Sequence, residues 1–164
     1  MVGGSISNKK DSPKKEVFNY STKSKKNDLN FEAPPDSIPP QNLEAEESIL
    51  GGLLLDPDAI SRIADVLQPE AFYLSAHREI YRTALMLHGQ GKPTDLTAMS
   101  AWLADTNSLE KVGGTNRLIE LVERVTSTAS IEQLAKLVMD KFLRRQLIRS
   151  GNEVIKLGFD QGIP

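Results

Sequence analysis

From residue 41 onward, apolar side chains recur at three- and four-residue steps interrupted by prolines and glycines, and no stretch alternates strictly enough to read as a strand. The run QNLEAEESILGGLLLDPDAI, 41–60, carries the pattern most clearly. Leu43, Ala45, Ile49, Leu50, Leu53 and Leu54 keep helical spacing, and Glu44, Glu46 and Glu47 fill the first turn, where acids favour the positive end of the helix dipole. A buried amphipathic helix is predicted. Gly51 and Gly52 sit inside it, each at a cost of about 1 kcal/mol relative to alanine, so the pair marks either a close neighbouring helix or a frayed end. Asp56-Pro57 stops the run, because residues before proline avoid the α region and proline suits the first turn of the next helix.

The same periodicity predicts a series of shorter elements. Ala59, Ile60, Ile63, Ala64 and Leu67 form a short helix with Asp56 as its N-cap, closed by Pro69. A turn carrying Phe72 and Tyr73 leads into a helix from about Ser75 with Ile80, Ala84, Leu85 and Leu87 inward, ended by Gly89 and Gly91. Pro93-Thr94-Asp95 caps a helix that buries Leu96, Met99, Trp102 and Leu103. After a polar turn at Asp105 to Ser108 and the pair Gly113-Gly114, Leu118, Ile119 and Val122 line another.

The last third is different. Ser130 is placed to cap a helix that runs without glycine or proline to Arg149 and onward past Gly151 to about Leu157, on the order of 40 Å at ~1.5 Å per residue. Ile131, Leu134, Val138 and Phe142 form a stripe that Leu147 or Ile148, Gly151, Val154 or Ile155, and Gly158 continue with a drift. A stripe that outlasts the body needs a partner, either the second arm of a hairpin or another subunit. The chain stops at Gly162-Ile163-Pro164, so a returning arm is expected to be absent or supplied in trans. The expected fold is all-α: a helical head over 41–127, then a long helix over 128–164 forming the first arm of a hairpin.

Residues 1–40 are rich in lysine, serine, asparagine and proline and contain no arginine. Such a segment cannot bury enough apolar surface to offset its ordering entropy, which predicts a disordered tail. Its scattered acids, from Asp11 to Asp36, fit a plastid transit peptide poorly. The net charge of −2 and pI of about 5.7 leave only local contact with nucleic acid, and exclude a basic membrane binder. With no cysteine, thiolate metal sites and thiol catalysis are excluded. No apolar run approaches the ~20 residues of a membrane span. A soluble protein inside the cell is expected.

Candidate chemistry is sparse. His77 and His88 have no carboxylate or second imidazole at a metal-site spacing. GQGKPT, Gly89 to Thr94, fails as a phosphate loop, because Met86 occupies the first glycine position and Pro93 separates Lys92 from Thr94. No catalytic, cofactor-binding or metal site is assigned. The one basic concentration is Lys141, Arg145 and Arg149, which step by four, with Arg144 beside them. They form either a contact for phosphates or an acidic partner, or a solvated face paired with Asp140 and Glu153. Ile131, Leu134, Val138, Phe142, Ile148 and Ile155 are the candidate protein interface.

The order of segments adds a resemblance. Ala45 to Asp56, AEESILGGLLLD, is followed by Phe72-Tyr73 with His77-Arg78-Glu79-Ile80-Tyr81, and then by Gly91-Lys92-Pro93-Thr94-Asp95-Leu96. Leu109 to Gly114, LEKVGG, comes next, and Arg144 to Ile148 with Asn152 to Ile155 comes last. Over roughly residues 40 to 160 this resembles the N-terminal domain of the bacterial and plastid replicative DNA helicase, the DnaB-like family. The resemblance implies a helical head and hairpin that assemble as dimers and then as a ring of six, and that recruit primase and, in some systems, a loader. It also implies that ATP and magnesium belong to a motor domain that this chain lacks. This chain by itself would then have no ATPase or helicase activity and bind no cofactor, and it would meet DNA weakly if at all. The compartment implied is the bacterial cytoplasm or the plastid stroma. The lysine-rich tail is outside the shared pattern.

Overall fold

Asn42 starts the first helix by accepting the Ala45 amide on its side-chain oxygen, and α1 then runs Leu43–Leu55. The computed structural model describes residues 1–4, 37–125 and 129–162. It divides into two units, Met1–Pro34 and Pro35–Pro164. Of the first unit only residues 1–4 are described, and they carry no helix or strand, so most of the predicted tail lies outside the described residues.

In the second unit, α1 is followed by a 3-10 turn at Ala59–Arg62, another at Pro69–Ala71, and α2, Ser75–Gly89. Then come α3, Leu96–Asp105, a third 3-10 turn at Glu110–Val112, α4, Gly114–Glu123, and α5, Ile131–Phe159. No strand occurs among the described residues, and the all-α expectation holds. Asp95 and Ser130 cap α3 and α5 as predicted, and Ser130 forms a full capping box with Gln133. Asp56 does not cap the following turn. It ends α1, and its Oδ1 accepts the Asp58 amide instead.

Helix α1 is the centre of the core. Ala45, Ile49, Leu50, Leu53 and Leu54 are all buried, with α4, α5 and α2 packed around them. The glycine pair resolves into two unlike positions. A Cβ on Gly51 would collide with the Leu121 carbonyl oxygen and come 2.5 Å from the Val125 Cγ2 of the α4 side, whereas one on Gly52 would only touch Ile131 Cδ1 at 3.9 Å. The close-neighbour reading is therefore correct for Gly51.

Two buried hydroxyls tie the layers together. Thr94 Oγ1 donates to the Leu53 carbonyl at 2.7 Å, and the Tyr81 hydroxyl donates to the Leu67 carbonyl at 2.7 Å. Tyr81 packs its ring 4.9 Å from that of Phe72, and burial pushes its pKa upward. In α4 Leu118 and Leu121 are buried and Val122 packs partly against the core, whereas Ile119, expected inward, is exposed.

The two glycines give a paired test. Gly51→Ala should lose roughly 1–3 kcal/mol in urea unfolding through overpacking, and Gly52→Ala should be neutral or gain up to ~1 kcal/mol in helix propensity. Equal effects at both positions would contradict the close approach of α4.

Candidate functional site

The 29 residues of α5 have two different environments. Leu134, Ala135 and Val138 are buried against the head, with Ile131, Met139 and Phe142 packed partly against the same core. Beyond Phe142 the helix turns its apolar side to solvent, while Arg145 still reaches the head. Leu143, Leu147, Ile148, Val154 and Leu157 are exposed, Leu147 at 72% and Val154 at 67%.

The apolar pattern also changes side. At ~100° per residue, Leu143, Leu147, Gly151, Val154 and Gly158 fall within about a quarter of the helix circumference. That stripe lies roughly opposite the line through Ile131, Leu134, Val138 and Phe142. The single drifting stripe expected from the sequence is thus two stripes, one turned to the head and one to solvent. Of the six candidate interface residues, Leu134 and Val138 are consumed by the chain's own core, Ile131, Phe142 and Ile155 are half-buried, and Ile148 is exposed. Like Leu137 and Phe159 of the same helix, Leu143, Leu147, Val154 and Leu157 are exposed as well. Splitting the run at Phe142 and testing each half for its own face would have found them.

Gly151 and Gly158 belong to this outer stripe. A Cβ on either would meet nothing within 4 Å, unlike Gly51. Each weakens the helix by about 1 kcal/mol relative to alanine, and no described neighbour requires it. Leu147, Gly151, Val154 and Gly158 together offer a seam into which a second helix can pack closely.

The basic residues separate as well. Lys141 lies 4.0 Å from Asp140, and Arg144 pairs with the same carboxylate at 3.0 Å. Arg145 turns into the head, where it donates to the Pro40 carbonyl and the Ala71 carbonyl, each at 2.7 Å, with its guanidinium over the Tyr73 and Phe142 rings. Burial draws the Arg145 pKa downward, the charge of Glu46 opposes this, and that of Arg78 adds to it. Arg149 is exposed. Lys141, Arg145 and Arg149 therefore do not present one continuous phosphate-facing surface.

An acid–base network absent from the sequence reading holds the head rigid beside this helix. Glu46, placed by its sequence position as a first-turn acid, is 1% exposed and accepts the Tyr73 amide at 2.6 Å, with its other oxygen 2.7 Å from His77 Nδ1. Arg117 of α4 reaches Glu47 at 2.6 Å and lies 3.4 Å from His77 Nε2. The ring thus stands between Glu46 on its Nδ1 side and Arg117 on its Nε2 side. The spacing Glu46-Glu47 gave no hint of partners on two other helices. Among the described residues no cluster of His, Asp or Glu is arranged to hold a metal, and no helix is long and apolar enough to cross a membrane.

An all-α head from which half of a long helix projects is the class of domain these observations define. Comparison with known proteins gives the family. The model of the DnaB-like helicase N terminal domain matches residues 38–140. The chain is 58% identical over 123 residues to the replicative DNA helicase DnaB of Nostoc sp., covering 75% of this chain and 14% of that protein. It is 40% identical over 124 residues to the replicative DNA helicase DnaC of Bacillus subtilis, covering 76% of this chain and 27% of that protein. The crystal structure of the N-terminal domain of DnaB helicase from Mycobacterium tuberculosis aligns with a TM-score of 0.72 at 36% identity, over 77% of this chain and 90% of that one. A structure of a DnaB-like replicative helicase and its interactions with primase aligns with a TM-score of 0.63 at 31% identity, over 70% of this chain and 27% of that one. The chain belongs to the DnaB-like helicase N-terminal domain family. It spans 14% of the length of the Nostoc relative.

The Glu47 pairings set a pH test. Burial by itself raises the Glu47 pKa, but hydrogen bonds and charge from Arg117 and Arg124 more than reverse it, leaving the group below its ordinary 4.5. A depressed carboxyl contributes stability that is complete above the unfolded value and disappears as pH falls through the folded one. Glu47→Gln should therefore cost about 1 kcal/mol near neutrality, and the difference from wild type should close on acidification below the carboxylate range. A gap of constant size in acid would contradict the pairing.

Proposed function

We propose that the chain is the assembly and partner-docking domain of a replicative DNA helicase, supporting ring formation and recruiting primase. The exposed apolar stripe on the outer half of α5 is the observation that carries this reading. Leu143, Leu147, Val154 and Leu157 stand in water on a helix whose opposite face is already used by the head. Covering such a stripe returns ~25 cal/mol per Å2 before association costs are subtracted. The natural cover is the same stripe on a second copy or the returning arm of a hairpin, since the glycine seam admits a helix at short distance.

Family membership and the relatives' names support the helicase context, and the likeness to a helicase described with its primase supports primase as the partner. ATP hydrolysis and unwinding belong on this reading to a motor domain elsewhere in the parent protein, and this chain turns over no ATP.

Sedimentation equilibrium tests the assembly role. Leu147→Asp and Val154→Asp, both on exposed positions, should keep the melting temperature and helical content while raising the self-association constant for dissociation roughly tenfold or more, ~1.4 kcal/mol or above. Phe142→Asp should instead destabilise the head. A monomer of unchanged mass for wild type and both outer variants at high concentration contradicts the role of the stripe. Light scattering of the chain mixed with its cognate primase should give a larger mass than either alone, and additive signals would remove primase as the partner.

A further inference from the structure

Where α5 leaves the head, Gln68, Glu70, Arg78, Phe142, Arg145, Gln146 and Arg149 line a cleft of about 420 Å3. Its charge is unusual for so acidic a chain. Three guanidiniums face one carboxylate, and among the described residues none of the three arginines makes an ion pair, although six other arginines and lysines do.

Two of these guanidiniums are fixed in place. Arg78 donates through Nε to the Phe72 carbonyl and through Nη2 to the Tyr73 carbonyl, each at 2.8 Å. Arg145 is held by the Pro40 and Ala71 carbonyls. A guanidinium has five N–H donors, so each retains several for a ligand. Both are bound to neutral oxygens, which orient them, and only the Glu46 charge near Arg145 offsets part of theirs. Arg78 and Arg145 repel each other, and the fold holds them together regardless.

We propose that this cleft is a binding site for a small phosphate-bearing anion, with Arg78 and Arg145 as the preformed cradle and Arg149 closing on it from the outer half of α5. The lining carries a net charge of two positive, which suits a dianionic phosphate group, and planar guanidiniums bind phosphate oxygens in pairs. A nucleic-acid strand fits less well, because it needs cations along a track, while the neighbouring α5 surface carries Asp140 and Glu153. Since Arg78 belongs to the head and Arg149 to the projecting helix, an occupied cleft would also brace the angle between them. The inference is independent of the assembly role of the outer stripe.

Isothermal titration of the full chain with pyrophosphate, a nucleoside diphosphate, inorganic phosphate and a short single-stranded DNA decides it. One site for pyrophosphate is expected, with affinity that falls as salt rises. Arg149→Gln should weaken it roughly tenfold or more, the loss of a charge-assisted hydrogen bond, at unchanged melting temperature. Arg144→Gln, on a neighbouring residue outside the cleft, should bind as wild type does. Equal binding of pyrophosphate and the nucleoside diphosphate assigns the ligand to its phosphates, and tighter binding of the nucleotide adds recognition of the base beside Phe142. Absence of pyrophosphate and nucleotide binding at millimolar concentration, equal binding by Arg149→Gln, or a preference for DNA overturns the proposal.

Discussion

Helix α1 leaves almost no side open to water, and the rest of the structure follows from closing it in. Its five large or small apolar positions from Ala45 to Leu54 are buried, and even Glu46 and Ser48 on the same helix are enclosed. A 13-residue helix buried in this way needs neighbours on every flank. Helix α4 comes close enough at Gly51 to exclude a side chain, α2 supplies the Tyr81 and His77 side, and the first half of α5 covers what remains. The cover needs about three turns of α5. The helix of 29 residues runs about eight turns, and the surplus is where the chain has apolar surface to offer.

This division of α5 links folding to function. Leu134 and Val138 contribute to the stability of one copy; Leu147 and Val154 contribute nothing to it. Their exposure is a standing cost in water, which the proposed association would remove. The polar network around Glu46, His77, Glu47 and Arg117 serves a complementary purpose. It joins α1, α2 and α4 by charged hydrogen bonds, so the base from which the rod projects is held rigid. On the proposed assembly role, a rigid base would let contacts made far along the rod set the relation between neighbouring copies.

Much of the fold was legible in the residues. Helical spacing and the caps at Asp95 and Ser130 are borne out by the structure, and of the two readings open for the glycine pair the close neighbour holds at Gly51. What was not legible depended on long-range partners. Glu46 and Glu47 look like ordinary first-turn acids until α2 and α4 bring His77 and Arg117 to them. Arg145 shares a sequence face with Lys141 and Arg149, yet carbonyls from Pro40 and Ala71 turn it inward. The change of side along α5 lies in the sequence, but both halves are apolar at helical spacing, so read as one run they merge into a single drifting stripe.

On the proposed assembly role, one continuous helix is stabilised by its own head over the first half and by a partner over the second. Hydrogen exchange along α5, followed as a function of protein concentration, tests it most directly. In dilute solution the amides up to about Phe142 should be protected to the level of global unfolding while those beyond Leu147 exchange far faster, and raising the concentration should slow the outer amides alone. Uniform protection from Leu134 to Leu157, unaffected by dilution, would contradict the account.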